Sequence, residues 1–130
     1  MLKDLLRNEL TSIPTEHWSE YFPMQVAILR FLADRYPGNF EFTRAGFDSE
    51  GPYVAGKGVN WFVDAFWSRD DVLELVDDIM TGVVLELKER YPQGLHGDAV
   101  SDVQIDATLV DRLQGVLEQV AGRAIQNGVV

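Results

Sequence analysis

Apolar residues open the chain at helical spacing. Leu2, Leu5, Leu6 and Leu10 recur every three to four positions, which predicts a short amphipathic helix over residues 2–12. Pro14 ends it, and Thr15 is placed to cap a short turn through Glu16-His17-Trp18-Ser19-Glu20. Pro23 suits the first turn of a second helix, which the Pro37-Gly38 pair stops after Tyr36. Met24, Val26, Ala27, Ile28, Leu29, Phe31 and Leu32 cover most of its circumference, so this helix is expected at the centre of the molecule. Arg30 and Asp34 stand four apart, the spacing of a surface ion pair.

The period changes in the middle of the chain. Phe40 and Phe42 alternate with Glu41 and Thr43, residues 48–52 carry turn chemistry, and Tyr53-Val54-Ala55 reads as a second strand. Gly56-Lys57-Gly58 reads as a tight turn or bulge. Residues 59–67 then alternate more cleanly than any other segment: Val59, Trp61, Val63, Ala65 and Trp67 against Asn60, Phe62, Asp64 and Phe66. The expectation is a central three-stranded antiparallel β-meander.

Helical periodicity returns after Ser68, read as a cap, with Asp70 and Asp71 complementing the helix dipole. Val72, Val76, Ile79, Val83 and Leu87 form the expected buried stripe of a helix over 69–91, about 33 Å long at 1.5 Å per residue. Residues 92–100 read as loop, and 101–107 fit either strand or helix. Leu109, Leu113, Val116, Leu117, Val120, Ala124 and Ile125 mark a last helix, in which Gly115 and Gly122 suggest close backbone approach. The fold class that follows is α+β: N-terminal helices, the meander, and two C-terminal helices packed on one face. Residues 32–38 echo residues 87–94, both running through acid-Arg-Tyr-Pro. The shared stop chemistry of two helices accounts for that likeness without a duplication.

Composition narrows the class. At 130 residues, with 46% hydrophobic and 11% aromatic residues, the chain has material for one domain and one core. It has no cysteine, which excludes disulfides, thiolate metal sites and thiol catalysis, and fits a reducing compartment. The N-terminal segment mixes charge among its leucines and does not read as a signal peptide, so a cytoplasmic location is expected. A net charge of −10 disfavours nucleic acid and anionic membrane surfaces, and fits either a basic protein partner or no partner, the charge then serving solubility alone.

Candidate chemistry is sparse. His17 and His96 are the only histidines and have no ligand set around them, so no metal and no cofactor is expected. Gly56-Lys57-Gly58 lacks the spacing of a phosphate loop, and no nucleophile elbow is present. Asp64, among aromatics, and His17 beside Glu16 and Glu20 are the candidate acid–base residues of a small enzyme or ligand-binding protein. The acidic start of the long helix is collective: Asp70, Asp71, Glu74, Asp77 and Asp78. Like charges so spaced repel, and they form either a solvated face or a docking face for a basic protein. Trp18 and Tyr21 either staple the first helix to the core or add an apolar patch to that face. The leading expectation is a non-catalytic interaction module, in the physical class of acidic antidote, immunity or escort proteins. A structural assembly subunit, or a homodimer, is the remaining expectation.

Overall fold

The structure, a computed structural model, describes residues 1–92 and 104–130. Helix α1 (Leu2–Ser12) buries Leu2, Leu6 and Leu10, and with them the carboxylate residue Glu9. Two short 3₁₀ turns, Thr15–His17 and Ser19–Tyr21, lead into α2 (Phe22–Arg35). Thr15 does not cap its turn, where Pro14 holds the capping position. At the end of the second turn, just before α2, the backbone reverses through two consecutive left-handed residues, Glu20 (φ 55°) and Tyr21 (φ 56°). Such a conformation costs a non-glycine residue about 1 kcal/mol or more. Trp18 holds the reversal from one side, with its indole in the core and its Nε1–H donating to the Ile13 carbonyl at 2.9 Å.

Helix α2 is central, as its all-round apolar pattern predicts. It buries nine residues, from Phe22 to Leu32, and packs on α1 and on the sheet. Arg30 does not pair with Asp34. Its Nε lies 2.9 Å from Glu9 Oε1 on α1, because α1 packs against the face that carries Arg30.

The fold is α+β, with a smaller sheet than the sequence suggests. Among the described residues it has two strands, β1 (Glu41–Asp48) and β2 (Gly51–Lys57), joined antiparallel by a tight turn. The register places Glu41 opposite Lys57 and Phe42 opposite Gly56, then slips by one residue at Thr43. Gly56 makes this close approach possible: at φ 155°, a Cβ there would lie 1.8 Å from the Glu41 carbonyl oxygen. Gly58 (φ 85°) ends the hairpin, where a Cβ would meet the Phe40 ring at 2.4 Å.

The expected third strand is helical. Residues 59–66 form α3 (Val59–Trp61), running directly into a π-helical turn, Phe62–Phe66. The Trp67 N–H closes that turn on the Phe62 carbonyl at 2.6 Å. Burial explains why alternation misleads here. Trp61, Phe62 and Phe66 are buried while Val63, Asp64 and Ala65 are exposed, so the apolar residues recur at i, i+1 and i+5, one face of a wide helical turn. The i, i+5 spacing also brings rings together: Trp61 stacks on Phe66 at 6.0 Å, and Phe62 lies 5.4 Å from Trp67.

Helix α4 (Asp70–Arg90) matches the expected long helix. Its buried face is Val72, Leu75, Val76, Ile79, Met80, Val83 and Leu87; Leu75, absent from the expected stripe, belongs to it, and Leu73 beside it is 38% exposed. Ser68 is not its cap. Arg69 takes that position, and the Ser68 hydroxyl donates to the Asp64 carbonyl at 2.6 Å. Helix α5 (Ala107–Gln126) begins where Asp106 accepts the Thr108 and Leu109 N–H groups, at 3.0 and 3.2 Å. Residues 104–106 are neither strand nor helix and Ala107 opens α5; residues 101–103, the 92–100 loop beyond Pro92, and His96 lie outside the described residues. Helix α5 packs on α4 and α1, whereas the hairpin rests chiefly on α2, so the C-terminal helices do not simply cover one sheet face. Gly115 and Gly122 bring no backbone close, since nothing lies within 4 Å of where their Cβ would be.

The two acid-Arg-Tyr-Pro stops fold alike. Tyr36 and Tyr91 cap α2 and α4 with φ −130° and ψ 65° or 69°, each N–H bonded to the carbonyl four residues back. In each, the preceding arginine lies 5.5 Å over the tyrosine ring. A pre-proline residue is pushed out of the helical region, so the same four residues stop both helices the same way. Among the described residues no helix is long and apolar enough to cross a membrane.

Candidate functional site

The acidic residues at the start of α4 do not form one uniform face. Consecutive helical residues turn by about 100°, so Asp71, Glu74 and Asp78 fall on one narrow arc and Asp70 and Asp77 on the next. The first three, all exposed, line a groove of about 540 Å³ between α4 and α5. Leu75 and Val116 form its apolar part, and Arg112, Gly115 and Gln119 its α5 wall. Gly115 contributes by its lack of a side chain, which leaves that wall open.

Each carboxylate has a different surrounding. Asp71 receives two bonds from Arg69, Nε at 3.0 Å and Nη2 at 2.6 Å, and this guanidinium holds its carboxyl below the usual aspartate range. Arg69 itself is shifted up by the same bond. Among the described residues no ion pair joins Glu74 or Asp78 to Arg112 across the groove, so both carboxylates stay solvated. Asp77 accepts the hydroxyl of Tyr21, a bond that raises the tyrosine's pKa. Tyr21 therefore straps the strained reversal before α2 onto α4, and Asp77 faces the strap instead of the groove. Asp70 is exposed at the first turn of α4.

The other sequence candidates disperse. Trp18 is 8% exposed and serves the core, so it adds no apolar patch to the acidic face. Asp64 is exposed on the π turn, on the side opposite the buried Trp61 and Phe66 rings, because residues 59–66 wind as a helix. Of the aromatic residues around it in sequence, Trp61 lies on Phe66 and Trp67 on Phe62, at ring separations of 6.0 and 5.4 Å. His17 is half-buried, with its ring 4.3 Å from that of Phe47 at the hairpin end and its Nε2 3.7 Å from Glu16. It lies on the 3₁₀ turn and Asp64 on the π turn, and no bond joins the two among the described residues. No three His, Asp or Glu side chains of the described residues converge as a metal site.

Sequence reasoning missed Glu9. It is the one charged residue buried among the described residues, and it sits with Arg30 in a second groove between α1, α2 and β1. Its signal was legible: Glu9 falls in the apolar stripe of Leu2, Leu6 and Leu10, where a carboxylate must find a partner.

No family model, no curated protein and no solved structure matches the chain.

Proposed function

We propose that the chain is a non-catalytic interaction module that holds a basic protein in the groove between α4 and α5. One observation carries the reading: three exposed carboxylates, Asp71, Glu74 and Asp78, line one wall of an open groove that also offers Leu75 and Val116. Lysine and arginine side chains suit such a surface, because their aliphatic stems bury on the apolar strip while their charged ends reach the carboxylates. The net charge of −10 speeds the encounter with a basic partner over a longer range. Arg112 on the opposite wall gives the groove polarity, favouring a partner whose basic residues lie along one edge.

Retention of host proteins on the tagged chain, at low and then high salt, tests the reading. A stoichiometric basic partner, released by salt and lost from the Glu74→Lys/Asp78→Lys variant, is expected. Both positions are exposed, so the variant should keep its fold. Undiminished retention by the folded double variant would end the proposal.

A further inference from the structure

The groove between α1, α2 and β1 has a different chemistry from the acidic one. It is an open groove of about 340 Å³ lined by Glu9, Ile13, Phe22, Val26, Arg30 and Phe42, with Thr43, Arg44 and Ala45 of β1 as the rim. Arg30 is held on two sides. Its Nε lies 2.9 Å from Glu9 Oε1, and its guanidinium carbon lies 4.3 Å over the Phe42 ring. Those contacts fix the plane of the guanidinium and use one of its donors, leaving the two terminal amino groups. Its side chain is 45% exposed, so those groups are within reach of solvent, while Glu9 behind it is 11% exposed.

A buried ion pair is a weak device for stability, since an apolar pair of similar volume stabilises a fold equally well or better. What this pair supplies is a guanidinium in fixed orientation beside the apolar part of a groove of mixed lining. We infer that this groove binds a small amphiphilic monocarboxylate, with the carboxylate on the Arg30 amino groups and an alkyl or aryl body on Ile13, Phe22, Val26 and Phe42. The planar fork of arginine matches a carboxylate bidentately. A single charge fits, because the lining sets two guanidiniums, Arg30 and Arg44, against the Glu9 carboxylate, which would repel a dianion more strongly. The volume is in the range of small-molecule sites. The slip of register at Thr43 bends β1 at the rim and leaves that residue exposed beside the groove, where its hydroxyl is in reach of a bound carboxylate. Burial already pushes the Glu9 carboxyl up, the state of a group that resists a second negative charge nearby unless a cation stands between them.

The site is separate from the α4–α5 groove, and its test does not depend on the protein partner. Octanoate is titrated into the ¹⁵N-labelled full chain while the Arg30 Nε–H and the Thr43 and Ala45 amides are followed by NMR. Octylammonium and octyl phosphate serve as matched probes. Saturable shifts at these signals with octanoate are expected, weaker with octyl phosphate and absent with octylammonium. Arg30→Lys keeps the charge but loses the fork, and should weaken octanoate by about tenfold or more. Glu9→Gln/Arg30→Gln keeps a neutral hydrogen-bonded pair should the lysine variant not fold, and should abolish the shifts. Equal response to octylammonium, equal or tighter binding of octyl phosphate, wild-type affinity in either folded variant, or no saturable shift at these signals would each overturn the inference.

Discussion

The two grooves handle carboxylates in opposite ways. Along α4, acidic residues are crowded but wet, and Glu74 and Asp78 interact weakly with their neighbours through water. Between α1 and α2 a single carboxylate has been taken out of water, and one guanidinium answers it at 2.9 Å. The first arrangement makes a long-range field that contributes little to stability. The second makes no field at a distance, yet the local structure depends on both partners being present. Number of charges and energetic weight of charges are thus separate quantities, and in this molecule they are inversely placed.

Substitutions in the two regions should differ accordingly. The largest effect is expected at Gly56, which lets β1 and β2 approach and so shapes the β1 wall of the Glu9 groove. Gly56→Ala places a methyl group 1.8 Å from the Glu41 oxygen and should lower the unfolding free energy by about 3 kcal/mol, seen as a reduced urea midpoint. A midpoint unchanged from wild type would mean that the hairpin accommodates the side chain, and that its wall is soft.

Next is Arg30→Ala, which leaves Glu9 buried without its partner. Removing one member of a fully buried pair costs roughly 3–5 kcal/mol; Arg30 is half in solvent, so a loss of about 2 kcal/mol is expected. Asp78→Ala on the acidic wall should stay within about 0.5 kcal/mol. Equal losses at the two positions would erase the contrast between the grooves.

Titration sharpens it further. Burial raises the Glu9 pKa above its ordinary 4.5 despite Arg30, so the folded state holds this proton more tightly than the unfolded chain. Its contribution to stability is greatest below pH 4.5 and declines as pH rises through the folded-state value. Asp71 has the opposite sign. Its pKa is lowered, so its contribution is present above the ordinary 3.8 and fades as pH falls below it, and as an exposed group it should be removed by salt. Glu9→Gln should flatten the first trend in pH-dependent urea melts while leaving the second; persistence of the first trend would assign it elsewhere.

Tyr21→Phe removes the bond to Asp77 that straps the strained reversal to α4. A loss of about 1 kcal/mol is expected in thermal melts. The smallest effect is expected from Glu74→Lys/Asp78→Lys: a stability change of a few tenths of a kcal/mol, upward if the carboxylates repel, together with the loss of a basic partner. A large destabilisation would show that the acidic wall is structural.

Much of this was written in local pattern. Helices α1, α2, α4 and α5 follow from apolar residues recurring at helical spacing between proline and glycine stops. The Tyr-Pro stops of α2 and α4 are so local that four residues reproduce the same backbone twice. The acidic arc of α4 was legible for the same reason, since helix geometry alone places Asp71, Glu74 and Asp78 together. Residues 59–67 were not. Val-Asn-Trp-Phe-Val-Asp-Ala-Phe-Trp satisfies period two as well as a wide helical turn, and only the packing of Trp61, Phe62 and Phe66 into the core selects the second. That choice moved Asp64 from an expected aromatic pocket to open solvent.

Sequence by itself determined the long helices, the Tyr-Pro stops of α2 and α4 and the sign of the surface, because each depends on residues within a few positions of one another. Tertiary structure alone decided the winding of residues 59–66, the partner of Arg30, the division of the acidic face by Tyr21, and the second groove. Each of these joins residues far apart along the chain, where desolvation and packing outweigh any local preference.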